Sequence, residues 1–405
     1  MYREIIMRYN PIKTLLAVLL LSSCEGTEKS EKADNIIAER KPLELIDKGI
    51  KSFPLDFETD FQGIKDPSIF QENGKEYLTF YNQPNHSIYL YGYDSAKLYQ
   101  KITLSEQGPN GVPRHISKYF IHRMDSIFID LITVNMYLVN GNAEIIDKLT
   151  LRENKSVTFD GATTFKNNTL NVSVINNYLL NKTNKPFLRA YINWEVDSIT
   201  SEFIQPESFI NPFEEIQTLR NTKGKTIRPL EKHFMADDQY IYTTTPISDS
   251  IYVFEDNEIV KSIYAGIPSI TIADYKSYMP LMERIVSSNG RSGSITNVVE
   301  LNQPPYFTNL FLSPNHKYLY RLLSHGTKPK LNPYNNKEYP VITAASLLVL
   351  DLTTEEITSI ELPVNELKIG VPISAGIFAS NTGLHIQVKG QENENEIQFR
   401  VFGVK

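Results

Sequence analysis

Seven histidines, His86, His115, His122, His233, His316, His325 and His385, and one cysteine, Cys24, hold most of the chain's potential for metal or nucleophilic chemistry. No two of the histidines have the His-Glu-x-x-His spacing that places a pair of ligands on one helical face, and no Asp-rich calcium loop is present. A lone cysteine excludes an intrachain disulfide and any cysteine-rich zinc or iron–sulfur centre. Gly224-Lys225-Thr226 imitates the end of a phosphate-binding loop, but Leu219 stands where its first glycine belongs. Ser292 has Gly290 before it, yet Ser294 where a nucleophile elbow needs glycine. Neither metal, cofactor nor catalytic residue is therefore expected. What remains is a set of cationic or hydrogen-bonding side chains beside the starts and ends of apolar segments: Arg114, His115, His233, Arg291, Arg321 and His325. Brought together, such groups would hold a carboxylate-bearing sugar or a peptide by charge-assisted hydrogen bonds. Left apart, they are solvated loop residues and turn anchors.

Whether they meet depends on the elements that carry them. From Leu43 onwards the chain is a series of short apolar strands separated by Asn, Asp, Gly and Ser, with little helical periodicity. Pairs such as Ser68-Ile69-Phe70 with Glu76 to Tyr81, Lys118 to Ile121 with Ser126 to Ile132, and Leu310 to Ser313 with Tyr318 to Tyr320 recur six times. Most are followed by a second hairpin, as in Tyr89 to Tyr93 turning into Leu98 to Leu104. Within that last strand Leu98, Ile102 and Leu104 alternate with polar residues, predicting one shared buried face. Six four-stranded antiparallel units repeated radially predict an all-β fold, a six-bladed β-propeller. At roughly 60 residues per unit, against ~40–50 for a compact blade, insertions are expected at Glu207 to Leu230 and Ile267 to Pro304. Seven shorter blades would also fit the length, but only six inner pairs are present. Near-helical spacing of Tyr275, Tyr278, Met279, Met282 and Ile285 predicts one short helix within Ala273 to Ser288. The last unit is one strand short and the segment from Leu43 to Phe57 is one strand in surplus, so pairing the two would close the ring. Loops at a propeller's channel mouth would then collect the candidate cations. A hydrolase or lyase at that mouth is the alternative, and needs a histidine within hydrogen-bond reach of a carboxylate or tyrosine.

Composition narrows the partners. The 405 residues carry a net charge of −6, which argues against nucleic acid. Arg8 and Lys13 precede an apolar run from Leu15 to Leu21, too short to span a bilayer, and then Ser22-Ser23-Cys24. Leu21-Ser22-Ser23-Cys24 resembles the bacterial lipobox, which implies lipidation of Cys24 and cleavage before it. The expected organisation is a signal peptide over 1–23, a polar tether over 24–42 and the propeller over 43–405. The expected partner is a membrane, reached through the lipid on Cys24. Glu25 rather than aspartate follows the cysteine, which favours the outer membrane.

Gly108-Pro109-Asn110-Gly111-Val112-Pro113, between the first two units, resembles the Gly-rich blade connection of six-bladed propeller lipoproteins of Bacteroidetes type. With the lipobox and the repeat layout, the chain resembles a domain-of-unknown-function family of that group. The resemblance implies a propeller at the cell envelope and supplies no catalytic residues. The expected role is that of a tethered propeller that binds a glycan, a peptide or an envelope protein. Ser95, Ser126, Ser198 and Ser250 each follow an aspartate and resemble the Asp-Ser acceptors of Bacteroidetes O-glycosylation. An Asp-Ser turn entering a strand explains the same pattern without a sugar.

Overall fold

A computed structural model describes residues 43–131, 135–150, 157–174, 188–194, 198–203, 226–227, 233–237, 239–246, 248–256, 258–270, 283–284, 304–334, 338–369, 376–390 and 393–405. Six antiparallel sheets form the six blades, each with its strands counted outward from the axis. The inner strands are Ile64–Glu72, Ile116–Arg123, Thr164–Lys166 (with Val157–Thr158 in the same sheet), His233–Ala236, Tyr306–Leu312 and Ile377–Ser380. The second and third strands are buried on both faces, as in Lys75–Asn82 and Ser87–Gly92 of the first blade, because each blade is sandwiched between two others. That is why these strands read as unbroken apolar runs. Asn73 and Gly74, both at positive φ, make the two-residue turn between the first blade's inner and second strands.

The core is divided among the six blade interfaces. Phe70, Ile88, Ile121 and Ile129 join blades one and two, and Phe128, Met136, Leu170 and Trp194 join two and three. Ala162 and Phe234 lie between three and four, and Ile251, Leu310 and Leu319 between four and five. Leu322, Leu347 and Ile386 fill the interface of five and six, and Phe53, Tyr91, Phe378 and Phe399 that of six and one. The last interface exists because Leu45–Pro54 pairs antiparallel with Glu396–Val404, from Leu45 opposite Val404 to Pro54 opposite Glu396. The amino-terminal strand is thus the outermost strand of the sixth blade, as the strand count predicts.

A layer of buried polar residues pins neighbouring blades where the apolar clusters stop. His86 places Nδ1 2.7 Å from the Tyr81 hydroxyl and Nε2 2.7 Å from the Val112 carbonyl oxygen, tying blade one to the connection into blade two. Trp194 Nε1 donates to Asp147 Oδ2 at 2.7 Å across blades three and two. His385 Nε2 lies 2.7 Å from the Tyr93 hydroxyl across blades six and one, its ring stacked on Phe378.

Three features depart from expectation. A one-residue bulge at the start of the outer strand Lys97–Thr103 moves Leu98 to the other face, so that it is 41% exposed while Ile102 and Leu104 are buried. Among the described residues there is no α-helix; Glu283–Arg284, inside the predicted helix, pairs as a short strand with Thr226–Ile227. The remainder of that predicted helix lies outside the described residues. An unexpected insertion, the ribbon Thr327–Leu331 with Glu338–Ile342, projects between the second and third strands of blade five. Pro329 and Pro340 face each other across it, and Tyr334 at its tip is almost wholly exposed.

Two outcomes follow from this packing. Phe53→Ala removes a fully buried ring that meets Tyr91, Tyr93 and Phe399, and is expected to lower stability by about 3–5 kcal/mol in urea unfolding. Asp130, 2% exposed in blade two, has its carboxyl pushed up to about 7 by burial, with the Ser117 hydroxyl partly opposing the shift. The folded chain therefore keeps this proton up to about pH 7, whereas an unfolded aspartate releases it near ~3.9. The stability it contributes is complete below the unfolded value and is lost as pH rises through about 7. Asp130→Asn should therefore gain on the wild type between pH 5 and pH 8, and a constant difference across that range would contradict the assignment.

Candidate functional site

The inner strands of all six blades surround an axial cavity of about 620 Å³. The size lies within the ~300–1,000 Å³ typical of small-ligand sites. Blade one contributes Asp66 to Gln71, blade two Lys118 to His122, and blade three Phe159 to Gly161 with Thr163. Blade four contributes His233 to Ala236, blade five Asn309 to Pro314 with His316, and blade six Ile377 to Ala379. The inner strands of blades one, two and five each carry a bulge near their start, after Lys65, Ile116 and Phe307. The extra residue turns side chains that would otherwise alternate between blade interfaces. Asp66, at φ 48°, and Asn309 sit in or beside two of these bulges and line the cavity.

Hydrogen bonding divides the lining into engaged and open groups. Thr79 Oγ1 lies 3.0 Å from both the Ser68 hydroxyl and the Tyr119 hydroxyl, joining blades one and two beside the channel. Lys118 Nζ is 3.7 Å from Asp66 Oδ1. Asp160 Oδ1 accepts from Ala162 N at 3.0 Å, within its own turn. By contrast, the imidazoles of His122 and His233 and the amide of Asn309 have no hydrogen-bond partner among the described residues. The His122 ring packs edge-on against Phe165, with centroids 5.2 Å apart, and burial lowers its pKa. His233 is held down to about 3 by burial and, secondarily, by the Arg321 guanidinium. Its ring is half-buried, but the surface it exposes faces the channel rather than bulk solvent. Both imidazoles are consequently neutral at physiological pH.

The residues proposed from sequence do not meet at one mouth. Arg114 is exposed and its Nε donates to Glu106 Oε1 at 2.6 Å. His115 is exposed beside it, at the entry to blade two. Arg321 is 1% exposed, in the second strand of blade five, and its position is a structural one. Its Nη1 donates to the Ala265 carbonyl at 3.1 Å, and its Nη2 to Thr244 Oγ1, the Thr245 carbonyl and the Ser248 carbonyl. Its guanidinium carbon lies 3.3 Å above the Phe307 ring. Burial lowers its pKa to about 9, so it stays protonated and clamps the turn of blade four onto blade five. His325, at the end of the same strand, lies 2.8 Å from the Ser346 hydroxyl. Of the candidate set only His233 lines the cavity. Arg291 and Cys24 lie outside the described residues. His122 and Asn309 were missed because their exposure to the channel depends on strand register and bulges, which no local pattern announces.

Two histidines do have tyrosine partners, His86 with Tyr81 and His385 with Tyr93, but both are buried in blade interfaces away from the channel. Among the described residues no group of three His, Cys, Asp or Glu is arranged to hold a metal ion. Of the four Asp-Ser serines, Ser126, Ser198 and Ser250 each open a strand, and Ser126 Oγ donates to Asp125 Oδ1 at 2.8 Å. Ser95 is exposed in a turn and donates to the Gly92 carbonyl oxygen. The side chain of Ser198 lies outside the described residues.

The contrast between the two arginines is measurable. Arg321→Ala strands several buried acceptors and should cost about 3 kcal/mol or more by urea unfolding. Arg114→Ala breaks one exposed ion pair and should cost less than about 1 kcal/mol. Equal effects would show that Arg321 is not the clamp described.

Comparison with known proteins agrees with this architecture. A crystal structure of a DUF4221 family member from Bacteroides vulgatus superposes with a TM-score of 0.64 at 17% identity, covering 90% of this chain and 99% of that one. A protein from Bacteroides fragilis described as exported gives a TM-score of 0.49 at 11% identity, over 89% and 97% of the two chains. No curated protein matches the chain. The model of the domain of unknown function DUF4221 matches residues 46–355, most of the ring, and the chain belongs to that family.

Proposed function

We propose that the chain is a lipid-anchored binding protein of the cell envelope that holds its ligand in the axial channel of the propeller. The observation that supports this most is the open set of polar groups on the channel wall: the His122 and His233 imidazoles and the Asn309 amide, supplied by three different blades. Fully buried polar groups are normally paired within the protein, whereas these three side chains are half-buried and reach the channel. Three left open on one concave surface suit a ligand that pairs with them. The cationic mouth anticipated from sequence lends no support, since Arg114 is paired with Glu106 and Arg321 is buried. Attachment through Cys24 rests on the lipobox-like Leu21-Ser22-Ser23-Cys24 and the polar tether after it.

Binding is tested by calorimetry on the full chain against panels of oligosaccharides and short peptides. A ligand whose affinity falls about tenfold or more in both His122→Ala and His233→Ala, a loss of about 1.4 kcal/mol each, supports the channel as its site. Ligands that bind both variants as tightly as the wild type would place the site elsewhere. Anchoring is tested by palmitate labelling, which should vanish in Cys24→Ala. Label that persists in that variant would refute lipidation at this residue.

A further inference from the structure

Between the closing strand of blade six and the inner strand of blade one, the chain makes a short loop from Leu55 to Gly63. It carries carboxylates at alternate positions, Asp56, Glu58 and Asp60. It is not an EF-hand loop, since Phe61 stands where that loop needs glycine and Pro67 where it needs glutamate. Three acidic side chains alone would mean little, but two side-chain amides of blade one dock against the same five residues. Asn82, at the end of the second strand, is wholly buried, and its Nδ2 donates to the Asp60 carbonyl oxygen at 2.6 Å. Asn85, in the turn that follows, donates through Nδ2 to the Glu58 carbonyl oxygen at 2.8 Å and to the Tyr89 hydroxyl at 2.6 Å. The Tyr89 hydroxyl in turn donates to Asp56 Oδ1 at 3.2 Å. Hydrogen bonds thus gather Asn82, Asn85 and Tyr89 around the segment from Asp56 to Asp60.

The orientation of both amides is fixed, because a backbone carbonyl only accepts and must therefore face the NH2 group. The amide oxygens that remain, Asn82 Oδ1 and Asn85 Oδ1, are both buried and meet no donor among the described residues. Buried oxygens of this kind are normally paired, if not with protein then with water or an ion. The charge around them favours an ion. Lys101 Nζ lies 3.3 Å from Asp56 Oδ2 and also contacts Glu58, and among the described residues no other cation is ion-paired with the loop. Three carboxylates against one ammonium leave two negative charges, which one divalent cation cancels. Amide oxygens, carboxylates and carbonyls are the hard donors that calcium collects, about six to eight at a time and in irregular geometry, whereas magnesium demands a near-ideal octahedron. Such a site leans on amide oxygens, and so differs from the cluster of three carboxylates or imidazoles that is absent among the described residues.

We propose that Asp56, Glu58 and Asp60, with the amide oxygens of Asn82 and Asn85, form a calcium site that fastens this loop onto blade one beside the seam that closes the ring. The test is tyrosine-sensitised terbium luminescence on the full chain with calcium as competitor, together with thermal melting in calcium, in magnesium and in EGTA. The expected result is a terbium signal excited through Tyr89 and displaced by calcium at about millimolar concentration or below. The melting temperature should rise in calcium and not in equal magnesium, because an ion that binds only the folded chain stabilises it. Glu58→Gln, and Asp60→Asn, which keeps the bond from Gln62 N to the side-chain oxygen, should each weaken terbium binding about tenfold. Lys101→Gln removes a competing ammonium and should tighten it. Asn82→Leu should abolish the signal, and the exposed Glu58 and Asp60 variants carry the test if that buried one fails to fold. No terbium signal, with melting that ignores calcium, would overturn the site and leave ordered water as the partner of the two amides. Terbium binding unchanged in both Glu58→Gln and Asp60→Asn would overturn it as well, since the ion would then lie elsewhere.

Discussion

Everything in this fold rests on one antiparallel ladder, Leu45–Pro54 against Glu396–Val404. The paired residues are separated by nearly the whole length of the ring, so no local interaction can form the ladder early. The entropy of closing so long a loop must be met by the contacts that closure creates. Those contacts are concentrated at the seam. Phe53 enters between Tyr91, Tyr93 and Phe399, the Tyr93 hydroxyl reaches His385, Lys48 Nζ donates to the Thr382 carbonyl, and Arg400 pairs with Asp47 and Glu366. Without the seam the inner strands do not encircle an axis, and His122, His233 and Asn309 have no common wall.

The architecture was legible in the sequence because its period is local. A blade's central strands are apolar on both faces, its turns hold Asn and Gly, and the missing strand at one end matches the surplus strand at the other. What was illegible depends on contacts between blades. Arg321 looks like an available cation in sequence, yet Thr244, Thr245, Ser248 and Ala265 of the neighbouring blade enclose it. Leu98 has the right alternation for a buried face, and a single bulge in its strand turns it outward. Asn309 reads as an ordinary strand residue, and an adjoining bulge brings it to the channel. His233 was singled out for a positive charge, but burial beside Arg321 leaves it a neutral donor and acceptor.

Burial sorts the polar residues into two roles. At the interfaces, His86, Trp194, Arg321 and His385 spend their hydrogen-bonding capacity on a neighbouring blade and fix its position. On the axis, His122, His233 and Asn309 are held in place by apolar neighbours and strand geometry while their polar atoms stay open. Fixed blades are what make open groups useful: donors and acceptors on separate blades can act as one site only if the blades do not shift against each other.

The ribbon of blade five shows a different kind of control. Two strands standing clear of the ring, with Leu331, Tyr334 and Tyr339 in solvent, have the composition of a template on which other chains could add strands. Pro329 and Pro340, placed opposite each other, remove an N–H from both outward edges at the same rung, and Lys328 and Lys330 flank that gap with charge. The ribbon can therefore project from the ring without seeding intermolecular sheets, which lets its aromatic tip remain exposed.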